Sequence, residues 1–456
     1  MEKDIPVQKN HCYNIEIKDL SHKGQGVGDY QGFTLFVPDA IPGDKVKVKI
    51  VKVSKNYAIG KLIKVLAPSA NRILEKCPVA RNCGGCQIQN MAYEAQLKYK
   101  TRLVEQNIER IGGLKGITVH KCIGMKDPWR YRNKVQFPVG IRSGKAIVGF
   151  YAAGSHDIIP TESCIIQHQS ADEVLKIIKN FIDEYNIEVY DETLGEGLIK
   201  HIIIRIGFST NEIMVILVIN GKELPYCDKL VELIKDKLPF VKTIVLNINT
   251  EKTNVIMGRE NIIVYGKGKI SERLGDLEFS ISPLSFFQVN SAQAEVLYEK
   301  AVQYAELSGD ETVFDLYSGT GTISLFMAKK AGKVYGIEVV KDAVMDAREN
   351  ARINNITNAE FVVGAAEDVV PKLYKKGMMA DIVVVDPPRK GCAPSLLDTI
   401  IKMNPKKVIY ISCNPSTLAR DICILANGGY QVHKIQPVDL FPHTMHVECV
   451  VLMSRL

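Results

Sequence analysis

Thr312-Val-Phe-Asp315-Leu-Tyr-Ser-Gly319-Thr-Gly321-Thr-Ile-Ser324-Leu325 reads as a short apolar strand, a glycine-rich turn and the first turn of a helix. That succession opens a nucleotide-binding α/β sheet, because glycine lets the backbone turn sharply and approach a ligand. Ser324 occupies the third glycine position of the motif. The next strand pattern, Lys333-Val-Tyr-Gly-Ile-Glu338, ends in an acid, where a carboxylate can accept hydrogen bonds from both hydroxyls of a ribose. A lone glycine turn is weak evidence for a nucleoside cofactor, and the acid one strand later strengthens it. Spacing alone leaves a nicotinamide dinucleotide and S-adenosylmethionine both open.

Outward from this motif, strands and helices alternate from about residue 275 to the end, as in a doubly wound parallel sheet. Two further buried-strand patterns carry polar residues at their ends. Asp381-Ile-Val-Val-Val-Asp386-Pro-Pro-Arg389-Lys-Gly391 is one, and Val408-Ile-Tyr-Ile-Ser-Cys413-Asn-Pro-Ser-Thr417 is the other. In the second, Asn414-Pro415-Ser416 marks a helix entry, since proline has no N–H to lose there and Asn or Ser can cap. Cys413 therefore sits at a strand end, the place where ligands bind in open α/β sheets. One cysteine alone is more often an inert core residue. Its company argues otherwise: the glycine turn, the Asp-Pro-Pro strand end, and Glu448 inside an apolar strand.

The remaining chain divides into segments of different character. Residues 13 to 66 alternate polar and apolar side chains in a small all-β barrel pattern, with Lys45, Lys47 and Lys49 on one strand face. Those lysines suit either a solvated face or phosphate contacts. Gly24-Gln-Gly-Val-Gly28 lies between strands, so it does not read as a dinucleotide loop. A linker at Ala67-Pro68-Ser69 leads to a cysteine-bearing segment, and a helix is expected from Met91 to about residue 111, ended by Gly112-Gly113. Mixed strands and helices fill about 130 to 265. The expected domains are thus residues 1–66, 67–270 and 271–456.

The composition of the 456 residues sets limits on the function class. Lys and Arg number 58 against 51 Asp and Glu, a formal charge of +7, and the cations crowd the first third of the chain. Such an excess suits an anionic partner. The N-terminus carries acids and lacks an apolar core region, so no secretory leader is expected, and no apolar run would span a bilayer. Eleven cysteines in such a chain point to free thiols or metal ligands in a reducing compartment, with the cytoplasm as the default. Cys77, Cys83 and Cys86 lie within one short glycine-bearing stretch. Cys164 is the fourth ligand by exclusion, and four thiolates suit zinc or an iron–sulfur cluster. Trp129-Arg-Tyr-Arg-Asn-Lys134 interleaves rings with cations, a composition that grips single-stranded bases and phosphates.

The wording Asp315-Leu-Tyr-Ser-Gly-Thr-Gly321 resembles the first motif of class I methyltransferases, which selects S-adenosylmethionine. Enzymes of that class acting on exocyclic amines carry an aromatic residue after the two prolines, and here Arg389 stands there. A carbon target needs different chemistry. The carbon 5 of a pyrimidine attacks a methyl sulfonium only after a thiolate has added to carbon 6, and a base must then remove the carbon 5 proton. Cys413 is the candidate nucleophile and Glu448 the candidate base, with Cys392 as a rival nucleophile placed after a loop.

Together these residues resemble the RNA 5-methyluridine methyltransferases, most closely the branch that modifies bacterial 23S ribosomal RNA, over essentially the full length. The resemblance implies that residues 1–66 form a TRAM domain, an OB-like RNA-binding barrel. It implies that Cys77, Cys83, Cys86 and Cys164 hold a [4Fe–4S] cluster. It further implies that Gln288, in Ser285-Phe-Phe-Gln-Val-Asn290, contacts S-adenosylmethionine together with Tyr317, Glu338 and Asp386. Relatives acting on tRNA typically lack both barrel and cluster, so ribosomal RNA or a large-subunit precursor is the expected partner, met by a monomer. A radical iron–sulfur enzyme and a non-catalytic RNA-binding module are the alternatives. The first lacks its Cys-x3-Cys-x2-Cys run, and the second leaves the Cys413 and Glu448 pair unexplained.

Overall fold

The computed structural model describes residues 5–455. The first four residues, part of the stretch behind the expectation of no secretory leader, lie outside them. The chain forms two compact units, one of residues 1–100, 150–159 and 441–446, the other of residues 101–149, 160–440 and 447–456.

In the first unit, β1 (Cys12–Leu20), β2 (Gly26–Tyr30), β3 (Phe33–Val37), β4 (Lys45–Val53) and β5 (Tyr57–Ala67) close a barrel in the order β1-β2-β3-β5-β4. Its fill follows from strict alternation along β4. Val46, Val48 and Ile50 are wholly buried, while Lys45, Lys47 and Lys49 point to solvent. A long helix follows, α1 (Tyr93–Arg110), beginning two residues later than the sequence pattern suggests. There the chain is still engaged elsewhere, since Ala92 N–H donates to the Asn71 carbonyl.

After the short β6 (Thr118–Val119) come β7 (Lys134–Arg142), β8 (Lys145–Tyr151), β9 (Ile158–Pro160), α2 (Gln169–Glu184), β10 (Ile199–Ile206), β11 (Ile213–Ile219), α3 (Cys227–Lys237), β12 (Val241–Ile248) and β13 (Glu260–Gly266). They build a seven-stranded mixed sheet ordered β13-β12-β11-β10-β7-β8-β9. Every residue of β11 is buried, as its unbroken apolar run demands. A hairpin, β14 (Ile270–Leu274) and β15 (Leu277–Ile281), leads to the last sheet. Glu272 of the hairpin is fully buried and satisfied. It accepts from Phe208 N (2.8 Å), Ser209 N (2.9 Å), Ser209 Oγ (2.6 Å) and Ser291 Oγ (2.7 Å), so the two sheets are bound at this point by one carboxylate.

The final region runs α4 (Ser291–Ala305), β16 (Thr312–Leu316), α5 (Thr322–Ala328), β17 (Lys333–Glu338), α6 (Lys341–Ile353), β18 (Ala359–Val363), α7 (Ala366–Lys375), β19 (Ile382–Val385), α8 (Pro394–Met403), β20 (Lys407–Ser412), α9 (Pro415–Asn427), β21 (Tyr430–Val438) and β22 (Glu448–Arg455). The sheet order is β18-β17-β16-β19-β20-β22-β21-β6. Strands β18 to β20 are parallel, in keeping with the doubly wound expectation. Strand β22 inserts antiparallel beside β20, so its first residue lies at the edge where the parallel strands end.

Candidate active site

The cofactor half of the site grows from β16. Tyr317 takes a left-handed conformation (φ 69°), followed by Gly319 (φ 54°) and Gly321 (φ 81°), so the chain reverses into α5 within a few residues. Gly321 is favoured by its left-handed backbone, and a Cβ there would lie 3.0 Å from Ala347 and Phe361, which would have to give way. Glu338, at the end of β17, accepts Gly319 N at 3.0 Å on one oxygen and Val340 N at 2.8 Å on the other. Each oxygen keeps a lone pair for a ribose hydroxyl.

The sequence gives no hint of the role of Asp315. It is fully buried, takes a 2.5 Å hydrogen bond from Ser324 Oγ on one oxygen, and has no partner on the other among the described residues. Ser324 thus fills the third glycine position with a hydroxyl that holds this acid. Burial, and secondarily Asp386, pushes the Asp315 carboxyl up to about 7. Ser318 Oγ, beside it in the turn, is also buried without a partner. Thr320 Oγ1 donates to the Phe286 carbonyl (3.4 Å), which brings the Ser285–Asn290 segment against the glycine turn. Gln288 of that segment is buried, and its side-chain amide makes no hydrogen bond among the described residues. Its carbonyl accepts Asn133 Nδ2 at 2.9 Å.

The second half of the site lies along the same edge. Leu316, Val385 and Tyr410 stand abreast in the parallel ladder. Tyr317 and Asp386 therefore leave the sheet side by side. In the antiparallel β20–β22 ladder Ile411 faces Val450 and Ser412 faces Cys449. One further step sets Cys413 across from Glu448. Glu448 is only 3% exposed, whereas Cys413 and Asp386 are half-buried. Burial first, and Asp386 second, push the Glu448 carboxyl up to about 8. Burial likewise raises Asp386 to about 7. The Cys413 thiol is pushed up to about 11 by burial, then by Glu448 and Asp386, while the Arg389 guanidinium opposes the rise. Arg389 opposes the rise of Glu448 too. At neutral pH the free site therefore holds a protonated thiol beside a largely protonated glutamic acid. Tyr298, on α4, is a second residue that the sequence did not single out. Its buried hydroxyl accepts Thr322 Oγ1 at 3.3 Å and feels Asp386, Glu448 and Asp315 together.

Arg389 is fixed by the helix that Cys413 precedes. Asn414 caps α9 by accepting Ser416 N (3.1 Å), and its Nδ2 donates to the Arg389 carbonyl (3.0 Å), joined by Thr417 Oγ1 (3.2 Å). Arg420 reaches the Lys390 carbonyl (3.0 Å), and Cys392 N donates to Asp421 (2.8 Å). Gly391, at φ 79°, has no room for a Cβ, which would lie 2.5 Å from both Arg420 and Asp421. Cys392 is sealed in at 3% exposure, its thiol pushed up to about 12 by burial, while the Tyr410 hydroxyl donates to Asp421 (2.6 Å). An encased protonated thiol is a poor nucleophile.

Cys77, Cys83 and Cys86 belong to one turn-rich stretch of the first unit, and Cys164 belongs to the second. Gly85 N donates to Cys83 Sγ (3.4 Å), Gly84 N to the Tyr151 carbonyl (3.1 Å) and Cys77 N to Gln89 Oε1 (2.8 Å). Burial, with Cys77 nearby, raises the thiol of Cys83. Among the described residues no group of three or more His, Cys, Asp or Glu side chains is gathered as a metal ion would need. The expected ligand set is thus not assembled as such; thiolates that repel one another converge around the ion that neutralises them.

The Trp129–Lys134 segment departs from the expectation of an exposed RNA grip. Arg130, at φ 54°, turns inward and donates to the Cys164 carbonyl (2.9 Å), the Gln167 carbonyl (3.2 Å), Asp172 (2.8 Å) and Ser163 Oγ (3.1 Å). Tyr131 and Asn133 are buried, so neither can stack on a base. Arg132 and Lys134 remain half-buried.

Known proteins resemble this chain over nearly its whole length. Residues 196–456 match the family described as tRNA (Uracil-5-)-methyltransferase, and residues 6–63 match the TRAM domain. A Clostridium tetani protein named "uncharacterized RNA methyltransferase" is 50% identical over 100% of this chain and 98% of its own length. A Bacillus cereus protein of the same name is 49% identical over 99% of this chain and 98% of its own. Among solved structures, the Pyrococcus abyssi tRNA (uracil-54, C5)-methyltransferase in complex with S-adenosyl-L-homocysteine superposes with a TM-score of 0.77 at 29% identity, covering 97% of this chain and 100% of that one.

Proposed function

The chain belongs to the RNA uracil-5-methyltransferase family, an S-adenosylmethionine-dependent family, and on that premise we propose that it methylates carbon 5 of a uridine through a covalent adduct on Cys413. The observation that carries this reading is the register that sets half-exposed Cys413 opposite buried Glu448 at the carboxyl edge of the sheet. The residues fit the cofactor: Glu338 has lone pairs for its ribose, while the unpartnered oxygen of Asp315, Ser318 Oγ and the open amide of Gln288 await polar groups beside Tyr317. When bound, S-adenosylmethionine supplies an electrophilic methyl group.

The chain's own residues do the rest. Cys413 gives its proton to the Asp386 carboxylate, which passes it to solvent, and the thiolate forms a bond to carbon 6 in the fraction of enzyme whose Glu448 is ionised, which pushes electrons onto carbon 5 and the ring carbonyl. Arg389, the cation that bears on both Cys413 and Glu448, favours the thiolate and the developing negative charge. Once carbon 5 carries the methyl group, Glu448 as carboxylate removes its proton, the carbon 6–sulfur bond breaks, and the sulfur electrons return to Cys413. One proton is released per turnover, the one taken from carbon 5, and Cys413 regains its own when the thiolate is reprotonated. The target base must leave its stack to reach this edge. The test is a denaturing gel of protein with 5-fluorouridine RNA and S-adenosylmethionine. A slow band that needs both Cys413 and the cofactor is expected, and a band that survives Cys413→Ala would refute the nucleophile.

We further assign the barrel of residues 1–66 and the central residues 67–270 to RNA and cluster binding, and residues 271–456 to chemistry, in a cytoplasmic monomer. Its RNA is proposed to be 23S ribosomal RNA on the strength of the four cysteines, the barrel region being spanned by a tRNA enzyme as well. A tRNA target is the second reading, favoured by the tRNA enzyme that superposes over nearly the whole chain. Mapping 5-methyluridine in both RNAs from cells with and without the gene separates them. Cys77, Cys83, Cys86 and Cys164 are proposed to hold a [4Fe–4S] cluster, supported by their all-thiol donor set and the Gly85 N–H on Cys83 Sγ. Protein purified without oxygen should contain iron and sulfide, and zinc in their place would refute the assignment.

A further inference from the structure

Arg132, Lys134 and Arg205 form a knot of three cations with no acid in ion-pair contact. Lys134 on β7 stands directly opposite Arg205 on β10 in the antiparallel ladder, and the charge of Arg132, two residues earlier, bears on Lys134. None of the three makes an ion pair among the described residues. Arg205 is only 4% exposed, and its one hydrogen bond runs from Nη2 to the Ser285 carbonyl (2.5 Å). The Nε atoms of Arg205 and of Arg132 are both buried without a partner among the described residues.

Buried cations without a counter-charge are costly, and folded proteins keep them paired unless a ligand completes the pair. The cost is visible here. Burial and the two arginines hold the Lys134 ammonium down to about 7, and burial holds Arg205 down to about 10 against the opposing charge of Asp346, which is itself paired with Lys269 (3.1 Å). The knot also has a defined address. Asn133, between Arg132 and Lys134, donates to the Gln288 carbonyl (2.9 Å) and Ser291 Oγ (2.9 Å), and Arg205 holds Ser285, so the cations are fastened to the segment beside the glycine turn.

We propose that Arg132, Lys134 and Arg205 form a phosphate site that takes one backbone phosphodiester of the substrate RNA next to the Gln288 segment. This rests on the reading of the chain as an RNA methyltransferase and adds the point at which the strand is anchored. Two planar guanidinium forks and an ammonium match the several oxygens of a phosphate. The other anion within reach of such a site is the carboxylate of the cofactor, and the test separates the two.

A labelled single-stranded oligouridylate of about eight nucleotides is titrated onto wild type, Lys134→Gln and Arg132→Gln between about 50 and 200 mM salt. Each variant should bind about three- to tenfold more weakly at low salt, with the slope of log affinity against log salt shallower by about 0.7, the loss of one single-strand phosphate contact. An uncharged methylphosphonate oligomer of the same sequence should bind all three proteins alike, and S-adenosylmethionine affinity should not change. Equal losses with the uncharged oligomer, an unchanged slope, or a fall in S-adenosylmethionine affinity instead would each overturn the proposal, as would failure of the wild type to bind the oligouridylate. Covalent capture by Cys413 is scored separately, so its failure would refute the functional reading and leave the phosphate site to stand or fall on binding.

Discussion

Two regions of the second unit break the rule that buried charges are paired, and they break it with opposite signs. Along the carboxyl edge of the eight-stranded sheet, Asp315, Asp386 and Glu448 are crowded with Cys413 and offset by the single cation Arg389, and every one of their protons is held more tightly than usual. On the β7–β10 ladder, Arg132, Lys134 and Arg205 gather with no ion-pair partner among the described residues, Asp346 bearing on Arg205 only from beyond contact, and Lys134 holds its proton less tightly than usual. Glu272 lies between the two regions in sequence, is as buried as any of them, and is fully satisfied by five hydrogen-bond donors from other residues. Burial is therefore not what distinguishes a site from a strut. The unpaired acids suit a sulfonium cation and proton transfer, and the unpaired bases suit a phosphate.

The largest effect should come from the acid side. Cys413→Ala is expected to abolish both turnover and the slow gel band, since general base catalysis alone is worth only about two to four orders of magnitude. Cys392→Ala should retain the band, because that thiol is sealed by Tyr410, Tyr317 and the α9 clamp. A reversal of the two would break the assignment of the edge. Glu448→Gln should leave methyl transfer intact and accumulate the methylated covalent adduct, and normal turnover in this variant would mean that another group removes the proton.

Next in size is the contrast with the strut. Glu272→Ala removes the one acceptor shared by Phe208 N, Ser209 and Ser291, and should lower stability by about 3 kcal/mol in denaturant titration. Asp315→Asn should instead leave stability unchanged or slightly higher, because it removes an acid that burial already disfavours, while weakening S-adenosylmethionine binding about tenfold by calorimetry. If Asp315→Asn destabilised as strongly as Glu272→Ala, its unpartnered oxygen would be structural rather than a cofactor contact.

How much of this was legible in the chain depended on how far apart the partners lie. The β16 turn and helix, the strand ending at Cys413 and the capped α9 are written in contiguous residues, so local turn and capping chemistry was enough to place them. The barrel lysines followed from alternation alone. The antiparallel insertion of β22, which brings Glu448 abreast of Cys413, has no local signature and arises from the sheet order. Arg130 looked like an exposed cation until Asp172 and the Cys164 turn supplied its partners, and Tyr131 is buried by the same fold. Lys134 and Arg205 meet only across a ladder between strands distant in sequence. Unpaired charge is a property of the whole packing, and no window of sequence contains it.

The smallest effects give the most direct test of the opposite signs, through the pH dependence of stability. Glu448 has a folded value near 8 against about 4.5 when unfolded, so the folded state binds more protons between those values and stability falls as pH rises through that window. Glu448→Gln should therefore melt like wild type near pH 4 and gain about 2–4 kcal/mol by pH 9. Lys134 is the mirror case, with a folded value near 7 against about 10.5, so the unfolded state binds more protons and stability rises with pH between them. Lys134→Met should accordingly stabilise at pH 6 by about 1–2 kcal/mol, discounted for its partial exposure, and the gain should vanish above pH 10.5. Melting curves of both variants across this range would sharpen the comparison if the two gains ran in opposite directions with pH. If Lys134→Met gave a gain independent of pH, the effect would be packing rather than charge, and the β7–β10 knot would already be neutralised in the free protein.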